Sequence, residues 1–395
     1  MSELIRSNTN RLEELYACAQ IVVKKGSIKE EYQTYQDLLR SVTPWETMHI
    51  LDRLLQSDIP FETIKAQTGK LLNLFHDSLK KIKWEKPEPD HFLSGLMLEN
   101  EAVRALLNQL KVELKQKALY DSERKNRVST LLKSIGLYES HYIKKENILF
   151  PLLEQTFPAY RCLQLMWSFH DDFRRSIKRL QQLVREEAPI EQIYPEFGRL
   201  YFVVLPIIFR EESIVFPIAM QSIPPAAWQE LRLQADELGW VYIKRPMAPT
   251  LRSLPTAQTN DRVNLGSGNL LPEQIILMLE HLPVDITYVD ENDRVCYFSA
   301  TPDRIFPRTH AIIGRLVQNC HPKESVHQVE AILDAFKSGT RKTAEFWIQL
   351  RGRFIHIRYF ALTSDNGTYR GCIEVSQDVT NIRALHGEQR LLNWK

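Results

Sequence analysis

HYIKKENILFPLLEQ (141–155) and IIFREESIVFPIAMQ (207–221) align without a gap. Glu146 falls on Glu212, Phe150 on Phe216 and Pro151 on Pro217. Each copy closes a long stretch of helical periodicity. Around them the apolar spacing predicts four amphipathic helices near 91–116, 122–155, 158–187 and 190–220, then a shorter helix begun by PPAAWQEL (224–231). Long helices joined by short turns form an up-down bundle. Two helix pairs related by a repeat give that bundle approximate two-fold symmetry, with room for a site between the halves.

N-terminal to the bundle, residues 1–85 are helical in pattern and form a separate domain. Thr43-Pro44-Trp45-Glu46 is a helix start: Thr43 caps, Pro44 suits the first helical position, and Glu46 reaches back to the N–H of the cap. A further helix begins near Pro60-Phe61-Glu62 and runs to Lys80. KIKWEKPEPDH (81–91) then breaks the helical pairing with two prolines. The bundle domain occupies 86–243. Residues 244–270 are rich in Pro, Ser, Thr, Asn and Gly without an apolar period, which is linker composition.

Beyond the linker, in the domain 271–395, the period changes. A short helix, LPEQIILMLEHL, precedes strand-like runs DITYVD, VCYFS, AEFWIQL, FIHIRYFALT and GCIEVSQDV. Turn signals at Glu291-Asn292-Asp293, Ser338-Gly339 and Asp365-Asn366-Gly367 separate them, and a helix near 325–337 interrupts them. This order predicts an α+β domain with an antiparallel sheet and helices on one side. The fold class is therefore multidomain: an all-α four-helix bundle with an N-terminal helical domain, plus an α+β domain.

Bulk properties narrow the function. At 395 residues the chain is too long for one ordinary core. Its 44% apolar and 25% charged content is that of a water-soluble globular protein. A net charge of +2 makes no case for nucleic acid. The sequence shows no apolar run long enough for a bilayer and no secretory signal in MSELIRSNTNRLEEL, so the expected location is the cytoplasm, with no membrane partner. Cys18, Cys162, Cys296, Cys320 and Cys372 are scattered and odd in number, which fits a reducing compartment and no cysteine zinc site. GSGN (266–269) lacks the lysine-serine/threonine ending of a phosphate loop, and no nucleophile–base arrangement is readable. A conventional enzyme is not expected.

The Glu-x-x-x-Phe-Pro repeat resembles the hemerythrin/HHE cation-binding family, whose four-helix bundle typically holds two irons. The resemblance implies a metal set of His91, His141, Glu146, His170 and Glu212, on all four helices, holding one or two non-haem irons. The chain departs from the pattern at Ile207, Asn100 and Ser94, where the family has histidines. His141 and Glu146, five residues apart, lie about 140° apart round an α-helix, and Lys145 takes the i+4 place. A plainer account stands beside this one: Glu146 and Glu212 as solvated helix charges, with the Phe-Pro pairs only packing. His49 and His76 are read as surface residues. The N-terminal region resembles a small helical domain of unknown function that precedes hemerythrin-like and PAS domains in bacterial proteins. Thr68 and Leu71 stand where that domain usually has Cys and His, so no ligand role is expected there.

The C-terminal region resembles a PAS domain through LPVDITYVDENDRVCYFS, DRIFPRTHAIIGRLVQNCHPKESVHQVEAILDAFKSG, AEFWIQLRGRFIHIRYFAL and GCIEVSQDVT. The resemblance implies a five-stranded antiparallel sheet and flanking helices enclosing a pocket for a small ligand or haem. His321 and His327 are candidate haem ligands, and Cys320 is a candidate redox residue. The plainer account has Pro322 starting a helix with Asn319 or Cys320 near its cap. Asp378-Val379-Thr380 resembles the motif by which PAS domains pass signals on, and about fifteen residues follow it. The functional expectation is a cytoplasmic sensor or regulator of a small molecule, gas or redox state, acting through a protein partner, with a homodimer expected from the resemblance. The alternatives are an iron-handling or iron–sulfur repair protein, and a scaffold whose sites are vestigial.

Overall fold

A computed structural model of the chain describes residues 2–115, 121–157, 161–245, 262–301, 303–321, 323–388 and 390. Two compact units divide it, Met1–Ala248 and Pro249–Lys395.

The first unit is helical throughout. α1 (Ser2–Lys25), α2 (Tyr32–Leu39), α3 (Pro44–Leu55) and α4 (Phe61–Lys81) form the N-terminal part. The cap of α3 is as expected: Glu46 N–H donates to Thr43 Oγ1 at 3.2 Å, and Thr43 N–H donates to Glu46 Oε2 at 2.8 Å. The apolar faces of these helices bury Leu15, Val22, Leu54, Ile64, Leu71 and Phe75. Cys162, Leu165, Ile214 and Ile218 of the bundle complete that core, so the N-terminal helices pack on the bundle rather than standing apart.

The bundle is built from α5 (Phe92–Lys115), α6 (Ser122–Gly136), α7 (Glu139–Lys144), α8 (Phe150–Thr156), α9 (Leu163–Arg185), α10 (Ile190–Arg210), α11 (Phe216–Ser222) and α12 (Ala227–Leu238). The expected continuous second and fourth helices are interrupted at equivalent places. Lys145–Leu149 and Glu211–Val215 are π-turns, closed by Phe150 N–H to Lys145 O and Phe216 N–H to Glu211 O. The repeat places the same Phe-Pro pair directly after each turn. Pro151 and Pro217 have no N–H to give the carbonyl four residues back, and their rings crowd it. One wider turn ahead of each proline relieves that conflict. The expected helix beginnings and ends at 116 and 158–160 lie outside the described residues.

In the second unit, residues 262–270 carry a short hairpin, β1 (Val263–Asn264) with β2 (Asn269–Leu270), inside the stretch expected to be linker. Gly266, at φ 80°, makes its turn, where the left-handed backbone favours glycine. The rest of the expected linker, 246–261, lies outside the described residues. α13 (Pro272–His281), β3 (Asp285–Val289), β4 (Val295–Phe298), α14 (Lys323–Lys337), β5 (Thr343–Leu350), β6 (Arg353–Thr363) and β7 (Tyr369–Asp378) follow. The strands form one antiparallel sheet in the order β4-β3-β7-β6-β5. Asp293, Gly339 and Gly367 have positive φ at the three turns read from the sequence. The core under the sheet buries Val289, Val295, Ile312, Leu333, Phe336 and Cys372.

Candidate functional site

The two π-turns bring a polar cluster into the middle of the bundle. Lys145 and Glu211 open the turns, and their side chains form a fully buried ion pair, Nζ to Oε1. The second oxygen of Glu211 is also engaged: Asn100 Nδ2 donates to Oε2 at 3.0 Å, and His141 Nε2 lies 3.1 Å from it. His141 Nδ1 faces Glu99 Oε2 at 3.0 Å. The other oxygen of Glu99 takes Lys144 Nζ at 3.0 Å and Val241 N–H at 2.8 Å.

His170 completes the row. Its Nε2 lies 3.1 Å from Lys145 Nζ, a group that only donates, so Nε2 is the acceptor and the proton is on Nδ1. That Nδ1–H donates to Glu146 Oε1 at 2.7 Å. Burial, helped by the Lys145 charge, holds His170 well below its ordinary pKa, which keeps it neutral. Arg174 Nη2 donates to Glu146 Oε2 at 2.8 Å. Burial still outweighs the guanidinium and pushes the Glu146 carboxyl up to about 7. Burial also opposes ionising Glu211, but the charges of Lys145 and His141 overcome it and bring that carboxyl down to about 2.

Aromatic rings wall the cluster. Tyr138 stacks on His141 at 4.5 Å and donates its OH to Asn100 Oδ1. Tyr142 stacks on His170 at 4.1 Å and lies under the Lys145 ammonium. Burial keeps both phenols well above their ordinary pKa.

Of the expected metal set, the structure brings His141, Glu146 and His170 into this row. It does not bring in the other two. Glu212 turns to the rim, where it accepts from Arg104 at 3.0 Å and Asn100 at 3.1 Å. Its neighbour Glu211 is the buried carboxylate. His91 lies at the head of α5, its Nδ1 accepting from Leu93 N–H at 3.1 Å and its ring 4.4 Å from Trp228. Ser94 serves the chain entering α5, donating to Glu88 O at 2.6 Å. Glu99, Lys144, Lys145, Arg174 and Glu211 were not among the expected site residues. For Lys144, Lys145 and Glu211 the sequence signal is the repeat, which aligns Lys145 with Glu211 and Lys144 with Arg210; Glu99 and Arg174 lie outside it and carry no such signal. Arg210, also buried, lies 3.9 Å over the Phe169 ring, as Lys144 lies 5.1 Å over Trp240.

This donor set does not fit an iron pair. The carboxylate and imidazole atoms that would face a metal face ammonium groups and one another. Among the described residues no three of the His, Cys, Asp and Glu side chains gather as metal ligands.

In the C-terminal unit, Thr287, Glu374 and Tyr359 pair directly across β3, β7 and β6, so they share one face of the sheet. Glu374, 8% exposed, is buried on that face and accepts from Ser376 Oγ at 3.3 Å. Arg304 Nη2 donates to Thr287 Oγ1 at 2.8 Å. His321 lies within the field of Glu374 and Arg308. Burial lowers its pKa, and its Nδ1–H donates to Val317 O at 2.9 Å. Among the described residues no hydrogen-bond partner meets the buried Arg308 Nε. Cys320 is buried with Sγ 3.8 Å from Leu316 O, and His327 is exposed on α14. The expected helix start at Pro322 lies outside the described residues.

Residues 91–219 match the hemerythrin HHE cation binding domain, and residues 275–380 match a PAS domain. The chain therefore carries a hemerythrin HHE domain followed by a PAS domain. It is similar to the C-terminal domain of a Streptococcus mutans protein, at 30% identity over 32% of this chain and 97% of that one, with a TM-score of 0.30. It is also similar to a PAS domain from Colwellia psychrerythraea, at 13% identity over 28% of this chain and 97% of that one, with a TM-score of 0.23. The PAS domain of Bordetella pertussis BvgS gives 17% identity over 28% and 91%, with a TM-score of 0.24. No curated protein matches the chain. No described helix is long and apolar enough to cross a membrane.

Proposed function

We propose that this protein is a sensory regulator whose PAS domain takes a small polar ligand on the inner face of its sheet and passes the signal to a protein partner. The observation that carries the reading is Glu374. A carboxylate held under the sheet with a serine hydroxyl as its donor is costly to bury. Arg308 Nε is buried with no acceptor among the described residues, and His321, which feels the charges of Glu374 and Arg308, keeps its Nε2 as an acceptor once Nδ1–H is given to Val317 O. Together they supply an acceptor, a donor and a weak base, the few placed polar groups that fix a ligand in a largely apolar pocket. Among the earlier candidates His321 fits this role. Cys320 packs in the core and His327 faces solvent. The ammonium groups of Lys144 and Lys145 among the bundle's donors weigh against iron handling as the main activity.

Native mass spectrometry of the full chain tests the reading. The expected result is a small molecule that leaves on denaturation and is lost in Glu374→Gln and His321→Ala, with the fold retained. A Soret band lost in His321→Ala would make that molecule haem. A wild-type chain carrying nothing, with a Tm unmoved by any member of a metabolite panel, would sink the proposal.

A further inference from the structure

We infer that the Lys145 ammonium holds the place a bound cation takes in the hemerythrin fold, making the bundle a metal-independent domain. This does not depend on what the PAS domain binds. Three observations carry it.

The first is occupancy of the lone pairs. A metal between the halves would need carboxylate oxygens and imidazole nitrogens free to face it. Both oxygens of Glu211 are engaged, by Lys145 on one side and by His141 and Asn100 on the other. Both nitrogens of His170 are engaged, by Lys145 and Glu146. Both nitrogens of His141 face Glu99 and Glu211, and both oxygens of Glu99 are taken.

The second is charge. Two buried carboxylates, Glu99 and Glu211, meet two buried ammonium groups, Lys144 and Lys145. A metal ion entering here would have to drive a lysine out of its pair and leave it buried alone, which is strongly unfavourable.

The third is position. Lys145 opens one π-turn as Glu211 opens the other, so the repeat places a cation in one half opposite a carboxylate in the other. A Glu in both places would give two carboxylates and two imidazoles facing each other, a set suited to a first-row divalent metal.

The test uses the full chain purified from iron- and zinc-replete cells. Elemental analysis is expected to find well under one metal per chain. Addition of EDTA, Fe(II) under argon, or Zn(II) is expected to leave its Tm unchanged. Lys145→Glu is the converse: its Tm is expected to fall without metal and to rise on adding Zn(II) or Fe(II). Lys145→Leu, which offers no ligand, is expected to fall by roughly 10 °C and not respond to metal. Stoichiometric metal in the wild type that is lost in His141→Ala would overturn the inference. So would a Lys145→Glu chain that fails to fold with metal present, or one whose stability is indifferent to it.

Discussion

Lys145 and Glu211 stand at equivalent positions in the two halves of the bundle and pair with each other across it. Each opens a π-turn, and each turn precedes the same Phe-Pro pair. A backbone adjustment ahead of each Phe-Pro pair thus aims one residue from each half at the bundle axis. The chemistry of the site follows from which residue each half places there.

Acid titration should show two opposed effects. Glu211 has its carboxyl lowered from the ordinary 4.5 to about 2, so its contribution is complete above about pH 4.5 and is lost as pH falls toward 2. Glu146 runs the other way. With its carboxyl raised from 4.5 to about 7, its ionised form costs stability at neutral pH, and that cost is relieved as pH falls from 7 to 4.5. His170 opposes Glu146 over part of this range: burial holds its pKa well below 6.5, so stability is lost as pH falls below 6.5. The Glu146 effect is therefore read as a difference between two chains. Urea unfolding should show the wild type gaining stability relative to Glu146→Gln as pH falls from 7 to 4.5, with the difference constant below that. A difference that does not change with pH would contradict this.

The cap of α3 should obey local rules. Thr43→Ala removes the acceptor for Glu46 N–H and half of the reciprocal pair, at an expected cost of about 1 kcal/mol by denaturant unfolding. Thr43→Ser should restore most of it. Equal stabilities for the wild type and Thr43→Ala would mean that the cap does not stabilise the helix.

Gly95 is the contact point between α5 and the segment that follows α12. A Cβ there would come within 2.3 Å of the Trp240 ring, and that segment also gives Val241 N–H to Glu99. Gly95→Ala should destabilise the helical unit by roughly 2 kcal/mol through overpacking and shift the tryptophan fluorescence. An alanine variant as stable as wild type, with unchanged fluorescence, would show that the ring is not seated on α5.

Gly371 plays a comparable part in the sheet. Its φ is 112°, and a Cβ would meet Val289 O at 2.1 Å, on the neighbouring strand. Gly371→Ala should cost at least about 3 kcal/mol, combining strained backbone with a clash that only strand displacement relieves. Limited proteolysis should then cut β3 and β7 in the variant while sparing the helical unit. An intact β3–β7 pairing in the variant would refute it.

Much of this architecture is legible in the residues because it rests on local rules. Thr43-Pro44-Trp45-Glu46 carries its own cap, the amphipathic periods place the four long helices, and Asp293, Gly339 and Gly367 mark turns that need left-handed backbone. The candidate site was less legible. Treating 141–155 as regular α-helix put His141 and Glu146 on different sides and left Lys145 as an ordinary charge, because lysines are almost always solvated. The π-turn changes the direction of each side chain, and only the proline hints at it. Glu211 and Glu212 are adjacent, so a rotation of about 100° decides which one is buried. The hairpin at 263–270 escaped because paired strands of two residues carry no apolar alternation.

The most direct test of the central relationship is a double-mutant cycle on Lys145→Met and Glu211→Gln, read by urea unfolding of the full chain. Each single change leaves one buried charge unpaired and should cost about 3–5 kcal/mol. The double variant should be markedly more stable than the sum of the two losses predicts, with a coupling of roughly 2 kcal/mol or more. Additive losses, with coupling near zero, would mean that the two residues do not hold the halves of the bundle together.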